Sequence, residues 1–147
     1  MSYELQLERL IDATPEEVFD AFTDPEAQKV WYRDQDGWKV EAGGELRAGG
    51  TWEVAFGPAN EAPYRESNRF TTVQRPHKLA YVSTFHLPDG RSFDTQLVVT
   101  FEAKLGKTLL TIRQSGFESE QDRNDHQGGW PGFLERLDRV VAARKAA

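Results

Sequence analysis

Tyr3, Leu5 and Leu7 alternate with Glu4, Gln6 and Glu8, a period of two that predicts a half-buried strand. The period then changes. Thr14-Pro15-Glu16-Glu17 combines a capping residue, a proline suited to the first helical position and a glutamate able to reach back to the cap, so a helix begins there. Val18, Phe19 and Phe22 form its apolar stripe, and Asp24-Pro25 ends it and opens a second helix carrying Ala27, Val30 and Trp31. Strand patterns follow. Trp38 and Val40 come first, then Trp52, Val54 and Phe56, with the pairs Gly43-Gly44 and Gly49-Gly50 as turn punctuation. Beyond the polar loop from Gly57 to Pro63, Tyr64, Glu66, Asn68 and Phe70 share one strand face, while Arg65, Ser67, Arg69 and Thr71 make a wet one. Leu79, Tyr81 and Phe85 mark the next strand. Phe93, Leu97, Val99 and Phe101 lie beyond the Pro88-Asp89-Gly90 turn, and Leu110, Ile112 and Gln114 lie beyond Leu105-Gly106-Lys107.

The last segment is helical. Ser119 caps an acidic first turn, and Trp130, Phe133, Leu134, Leu137, Val140 and Val141 fall on one stripe. Pro131 lacks a backbone donor, so a kink or a restart is expected there, and from Pro131 to Ala146 the helix would run about 24 Å. Short connections between successive strands imply an antiparallel meander. The whole reads as an α+β fold of one domain over residues 1–147. A curved antiparallel sheet of about six or seven strands surrounds a long C-terminal helix, with two short helices after the first strand. A helix stripe is narrower than a curved sheet, so a ligand cavity between the two is expected.

Composition narrows the function. The 147 residues are 38% hydrophobic and 29% charged, as in an ordinary globular domain. Nine Phe, four Trp and four Tyr supply both core volume and the usual lining of small-molecule sites. A formal charge of -6 repels phosphate backbones and anionic lipid, which argues against nucleic-acid and membrane partners. The absence of cysteine excludes disulfides, thiolate nucleophiles and cysteine-ligated metal. The first residues show no basic region followed by an apolar stretch, so a cytoplasmic location is expected.

Four stretches, in order, resemble the activator of heat shock protein 90 ATPase homologue family, within the birch-pollen-allergen and START-like helix-grip superfamily. They are Thr14-Pro15-Glu16-Glu17-Val18-Phe19 through Thr23-Asp24-Pro25-Glu26, the paired aromatics Trp31-Tyr32, the Arg-x-Gly-Gly-x-Trp turn of Arg47 to Trp52, and a closing set. That set is Gln114-Ser115-Gly116-Phe117 with Asp122-Arg123, His126, Gly129-Trp130, Leu134 and Leu137. The resemblance implies the helix-grip fold and a cavity. Members of the superfamily bind, sequester, cyclise or scaffold, so it implies no single activity.

The candidate site follows from strand and helix parity. Trp31, Trp52, Phe70, Tyr81, Phe101, Trp130 and Phe133 are expected to wall the cavity, with Glu66 and Gln114 as polar contacts. A desolvated Glu66 would have a raised pKa and be a candidate acid or base. The alternatives are a bond to a neighbouring strand's Arg or to Tyr81, or a place at a wet mouth. Gln114 would orient a ligand or satisfy backbone. Asp122 and His126 have the i, i+4 spacing of metal ligands, but no third ligand is evident and a helix-start network with Arg123 and Asp125 accounts for them, so no metal is assigned. No cofactor is assigned either. There is no Gly-x-Ser-x-Gly elbow and no phosphate-loop frame. The leading expectation is a non-enzymatic module holding a small apolar or amphipathic ligand. The rivals are a cyclase, dehydratase or hydrolase using Glu66, and a co-chaperone-like or stress-response domain with a protein partner. A monomer and a homodimer are both compatible with the sequence.

Overall fold

The computed structural model describes residues 2–147. Strand β1 (Tyr3–Ile11) leads to helices α1 (Pro15–Thr23) and α2 (Pro25–Trp31), then to strands β2 (Trp38–Gly44), β3 (Thr51–Pro58), β4 (Tyr64–Gln74), β5 (Lys78–His86), β6 (Ser92–Lys104) and β7 (Lys107–Phe117), and finally to helix α3 (Glu120–Ala146). The strands form one antiparallel sheet in the order β1-β7-β6-β5-β4-β3-β2. This is the α+β architecture that the sequence pattern predicts, and the helix-grip fold that the family resemblance implies. Six consecutive strands make the meander, and β1 closes its far side by pairing with β7.

Local chemistry sets the boundaries. Thr14 accepts from the Glu17 amide at 3.2 Å while the Glu17 carboxylate accepts from the Thr14 amide at 2.9 Å, a reciprocal cap. Asp24 ends α1 and caps α2 through the Glu26 amide at 3.1 Å. Ser119 caps α3 through the Asp122 amide at 3.2 Å. Gly116, at a φ of 90°, re-phases the end of β7. Gln114 and Phe117, three positions apart, are therefore both buried on the concave side.

Helix α3 runs unbroken through Pro131 for 27 residues, roughly 40 Å, and does not restart there. The lost bond falls on the exposed side, where both Pro131 and Gln127 meet solvent, so the Gln127 carbonyl is open to hydration and the missing donor costs little. The C-terminal half of α3 packs solidly. Leu134, Leu137 and Val141 are buried with Val99, Leu110 and Ile112 of the sheet. Phe101 meets Phe19 edge-on at 5.2 Å and Phe22 at 5.8 Å, and Phe22 stacks on Trp31 at 5.1 Å. No helix among the described residues is long and apolar enough to cross a membrane.

Candidate functional site

The concave face is filled at one end and open at the other. Helices α1 and α2 plug the end nearest Phe101. At the other end a cavity of about 310 Å³ remains between the first half of α3 and strands β3 to β7, at the small end of the range for small-molecule sites. Phe56, Tyr64, Phe85, Phe93 and Leu97 reach it from successive strands. Trp130 and Phe133 reach it from α3, and Trp38 and Asp34 stand at the mouth. Much of the wall is one aromatic cluster. Phe56 and Tyr64 stack at 5.7 Å, Tyr64 and Phe85 at 5.8 Å, and Phe133 approaches Phe56 edge-on at 6.1 Å. A second hollow of about 380 Å³ lies outside, between Val30–Asp36 and Glu135–Arg139 of α3. Its lining is mainly charged residues of both signs, with Val30 as its one apolar side chain and no aromatic ring.

A polar band crosses the cavity floor. Glu66 of β4 accepts from the Tyr32 hydroxyl at 3.0 Å and from the Asn68 amide at 3.3 Å, both at Oε1. Its partner is thus the tyrosine that caps α2, and not a neighbouring strand's Arg or Tyr81. Burial pushes the Glu66 carboxyl above its usual range, against the two donated bonds. Burial and the nearby carboxyl together push the Tyr32 phenol well above its ordinary value, so it stays an O–H donor. Ser83 of β5 lines the cavity next in the band. Gln114 is spent on protein side chains rather than on backbone: it donates to Thr95 at 2.9 Å and accepts from the Trp130 indole at 2.9 Å.

His126 forms part of the wall. Its ring is nested among Phe85 at 4.7 Å, Phe117 at 5.2 Å and Phe93 at 5.6 Å. Nδ1 donates to the Asp122 carbonyl at 3.1 Å, which leaves Nε2 as an acceptor. Burial lowers the His126 pKa, with the Asp122 carbonyl and the Asp122 and Asp125 charges acting the other way. The Asp122 carboxylate is held by Arg91 at 2.8 and 3.1 Å, so the helix-start network is built on Arg91 rather than on Arg123. Among the described residues no cluster of His, Asp and Glu has metal-site geometry.

Of the nine residues expected in the wall, four line the cavity: Glu66, Gln114, Trp130 and Phe133. Trp31, Trp52, Phe70 and Tyr81 instead surround a separate void of about 20 Å³ under α2, and Phe101 is packed in the solid core. Sequence reasoning did not place Trp38, Phe56, Phe85, Phe93 or His126 in the wall. Phe85 and Phe93 had a usable signal. They stand opposite each other across the Pro88-Asp89-Gly90 hairpin, and Phe85 also pairs with Glu66.

The arrangement matches a known sequence pattern. The model of the family described as activator of Hsp90 ATPase homolog 1-like protein covers residues 12–142. The chain belongs to this family. Solved structures similar to this activator of Hsp90 ATPase homolog 1-like chain include a Chromobacterium violaceum protein, 23% identical over 94% of this chain and 96% of the other, with a TM-score of 0.82. An AHSA1 protein from Silicibacter pomeroyi is 22% identical over 97% and 99%, with a TM-score of 0.80. An AHSA1-like protein from Aeromonas hydrophila is 23% identical over 99% and 96%, with a TM-score of 0.78. At these identities the likeness is one of fold. No curated protein matches this activator of Hsp90 ATPase homolog 1-like chain in sequence.

Proposed function

We propose that this chain is a non-enzymatic binding module that holds one small, largely apolar ligand between α3 and the sheet. The observation that carries the reading is the aromatic cavity itself. Seven aromatic side chains border about 310 Å³ of space in a fold whose other half is packed solid, and close packing is the rule for protein interiors. The polar groups are few and fixed, as expected of a site that orients a ligand. Turnover has less support. Glu66 and His126 would serve as acid and base, but the Glu66 carboxyl is tied to Tyr32 and Asn68, and among the described residues the Ser83 hydroxyl, the one serine in the lining, is hydrogen-bonded to no base.

The test is thermal unfolding against sterols, fatty acids, flavonoids and aromatic polyketides. A ligand at a hundredfold excess over its Kd adds about 2.7 kcal/mol, a rise in Tm on the order of 10 °C for a domain of this size. A rise confined to one chemical class supports the reading and identifies the ligand class. No rise with any compound overturns it.

A further inference from the structure

The charge around the cavity is one-sided. Asp34, Glu66, Asp122 and Asp125 line it, and neither Lys nor Arg does. Two of these carboxylates are already matched from outside: Asp122 by Arg91 at 2.8 Å, and Asp34 by Arg136 at 3.6 Å. Asp125 is an exposed rim residue that accepts from Gln121. Glu66 is different. It lies within the aromatic wall, its two donors are the neutral Tyr32 and Asn68, and both are used at Oε1. No hydrogen bond reaches Oε2 among the described residues.

The rings repeat the asymmetry. Arg91 sits over Phe93 at 5.8 Å and Arg136 over Phe133 at 5.2 Å, so two wall rings already face a cation of the protein. Phe56, Tyr64 and Phe85, the stacked trio bordering Glu66, face none among the described residues. The interior offers two acceptors, Glu66 Oε2 and His126 Nε2, while each end of the Gln114 amide already engages a protein side chain. Donors sit on Trp38 and Tyr64, and Ser83 can act either way. A carboxylate beside aromatic rings that face no cation of the protein is the arrangement that recognises an organic ammonium group.

We infer that the ligand is a small organic cation, an amine on an apolar ring or chain, with its ammonium held by Glu66 among Phe56, Tyr64 and Phe85. This rests on the binding reading above and adds the ligand's charge to it. The net charge of -6 favours the approach of such a molecule. Burial, which disfavours an ionised Glu66 in the free protein, is offset once a cation lies at Oε2.

The experiment is calorimetric titration of the full chain with matched triples that differ only in head group: tryptamine, tryptophol and indole-3-acetate, and the corresponding phenylethyl amine, alcohol and acid. The expected result is an amine bound about tenfold or more tightly than its alcohol, with the acid weakest. In Glu66→Gln the preference for amine over alcohol narrows to about twofold. Because the readout is a ratio within one protein, a loss of folded protein does not imitate it. Alcohols or acids bound as tightly as the amines overturn the inference and leave the binding reading intact. The inference also fails, with the binding reading intact, if no amine binds while a neutral compound of the thermal panel does. A preference that persists in Glu66→Gln removes Glu66 from the role. If no compound of either panel binds, both readings fail together.

Discussion

Glu66 and His126 flank Phe85, one opposite it in the sheet and the other against its ring, and burial shifts them in opposite directions. For Glu66 the folded value lies above the ordinary 4.5. Its contribution to stability is therefore fully present below that ordinary value and is lost as pH rises through the folded one. Glu66→Gln should raise the denaturation midpoint at neutral pH, and the gain should close on acidification below the ordinary value. For His126 the folded value lies below the ordinary 6.5. Its contribution is present above that value and is lost as pH falls through the folded one. Substitution by Phe, which suits the nest of Phe85, Phe93 and Phe117, should remove that part of the acid sensitivity. Denaturant midpoints of the two variants and the parent, taken from about pH 4 to about pH 8, check both signs. A Glu66→Gln difference independent of pH would show that the carboxyl is not desolvated.

Helix α3 shows what was legible and what was not. The stripe from Trp130 to Val141 and the Ser119 cap are local patterns, and the helix forms where they predict. Pro131 also has a local reading, as a breaker, yet the helix passes through it. Its cost falls on the solvent side, while Leu134, Leu137 and Val141 are anchored in the core. The site divides in the same way. Strand parity correctly put Glu66 and Gln114 on the concave face, because alternation is a property of each strand. Parity does not say how far along the strand the face is already filled. Trp52, Phe70 and Tyr81 lie under α2, which carries Trp31 and whose position depends on packing across the whole sheet, so all four went to core and the open space fell beside Phe85 and Phe93. The glycines of α3 give this a test. A Cβ on Gly128 or Gly129 meets nothing within 4 Å, but only Gly129 borders the cavity. Alanine at either position should stabilise the protein by about 0.5–1 kcal/mol, measured by denaturant unfolding. Only Gly129→Ala should also weaken a ligand found in the thermal panel. Equal ligand affinities in the two variants would place the ligand away from this turn of the helix.

The two ends of the molecule are held together differently, and α3 spans both. Its second half rests on the packed core and is tied to the far end by ion pairs of Arg9 with Asp138 and Arg144 with Asp24, and by Lys145 donating to the Asp12 carbonyl. Its first half covers empty space. It is held by the Trp130–Gln114 bond, the Arg91–Asp122 pair and Arg123 donating to the Glu4 carbonyl at 3.0 Å, and it contains Gly128, Gly129 and the proline that removes a backbone bond. Local opening free energy follows buried apolar contact, so the half over the cavity should open first. Amide hydrogen exchange should accordingly be faster across residues 120–130 than across 134–145. A bound ligand supplies the missing contacts, so it should slow the first set and leave the second nearly unchanged. Ligand protection centred on 134–145 would move the binding site off the cavity. Equal exchange in both halves of the free protein would mean that the empty space costs α3 nothing.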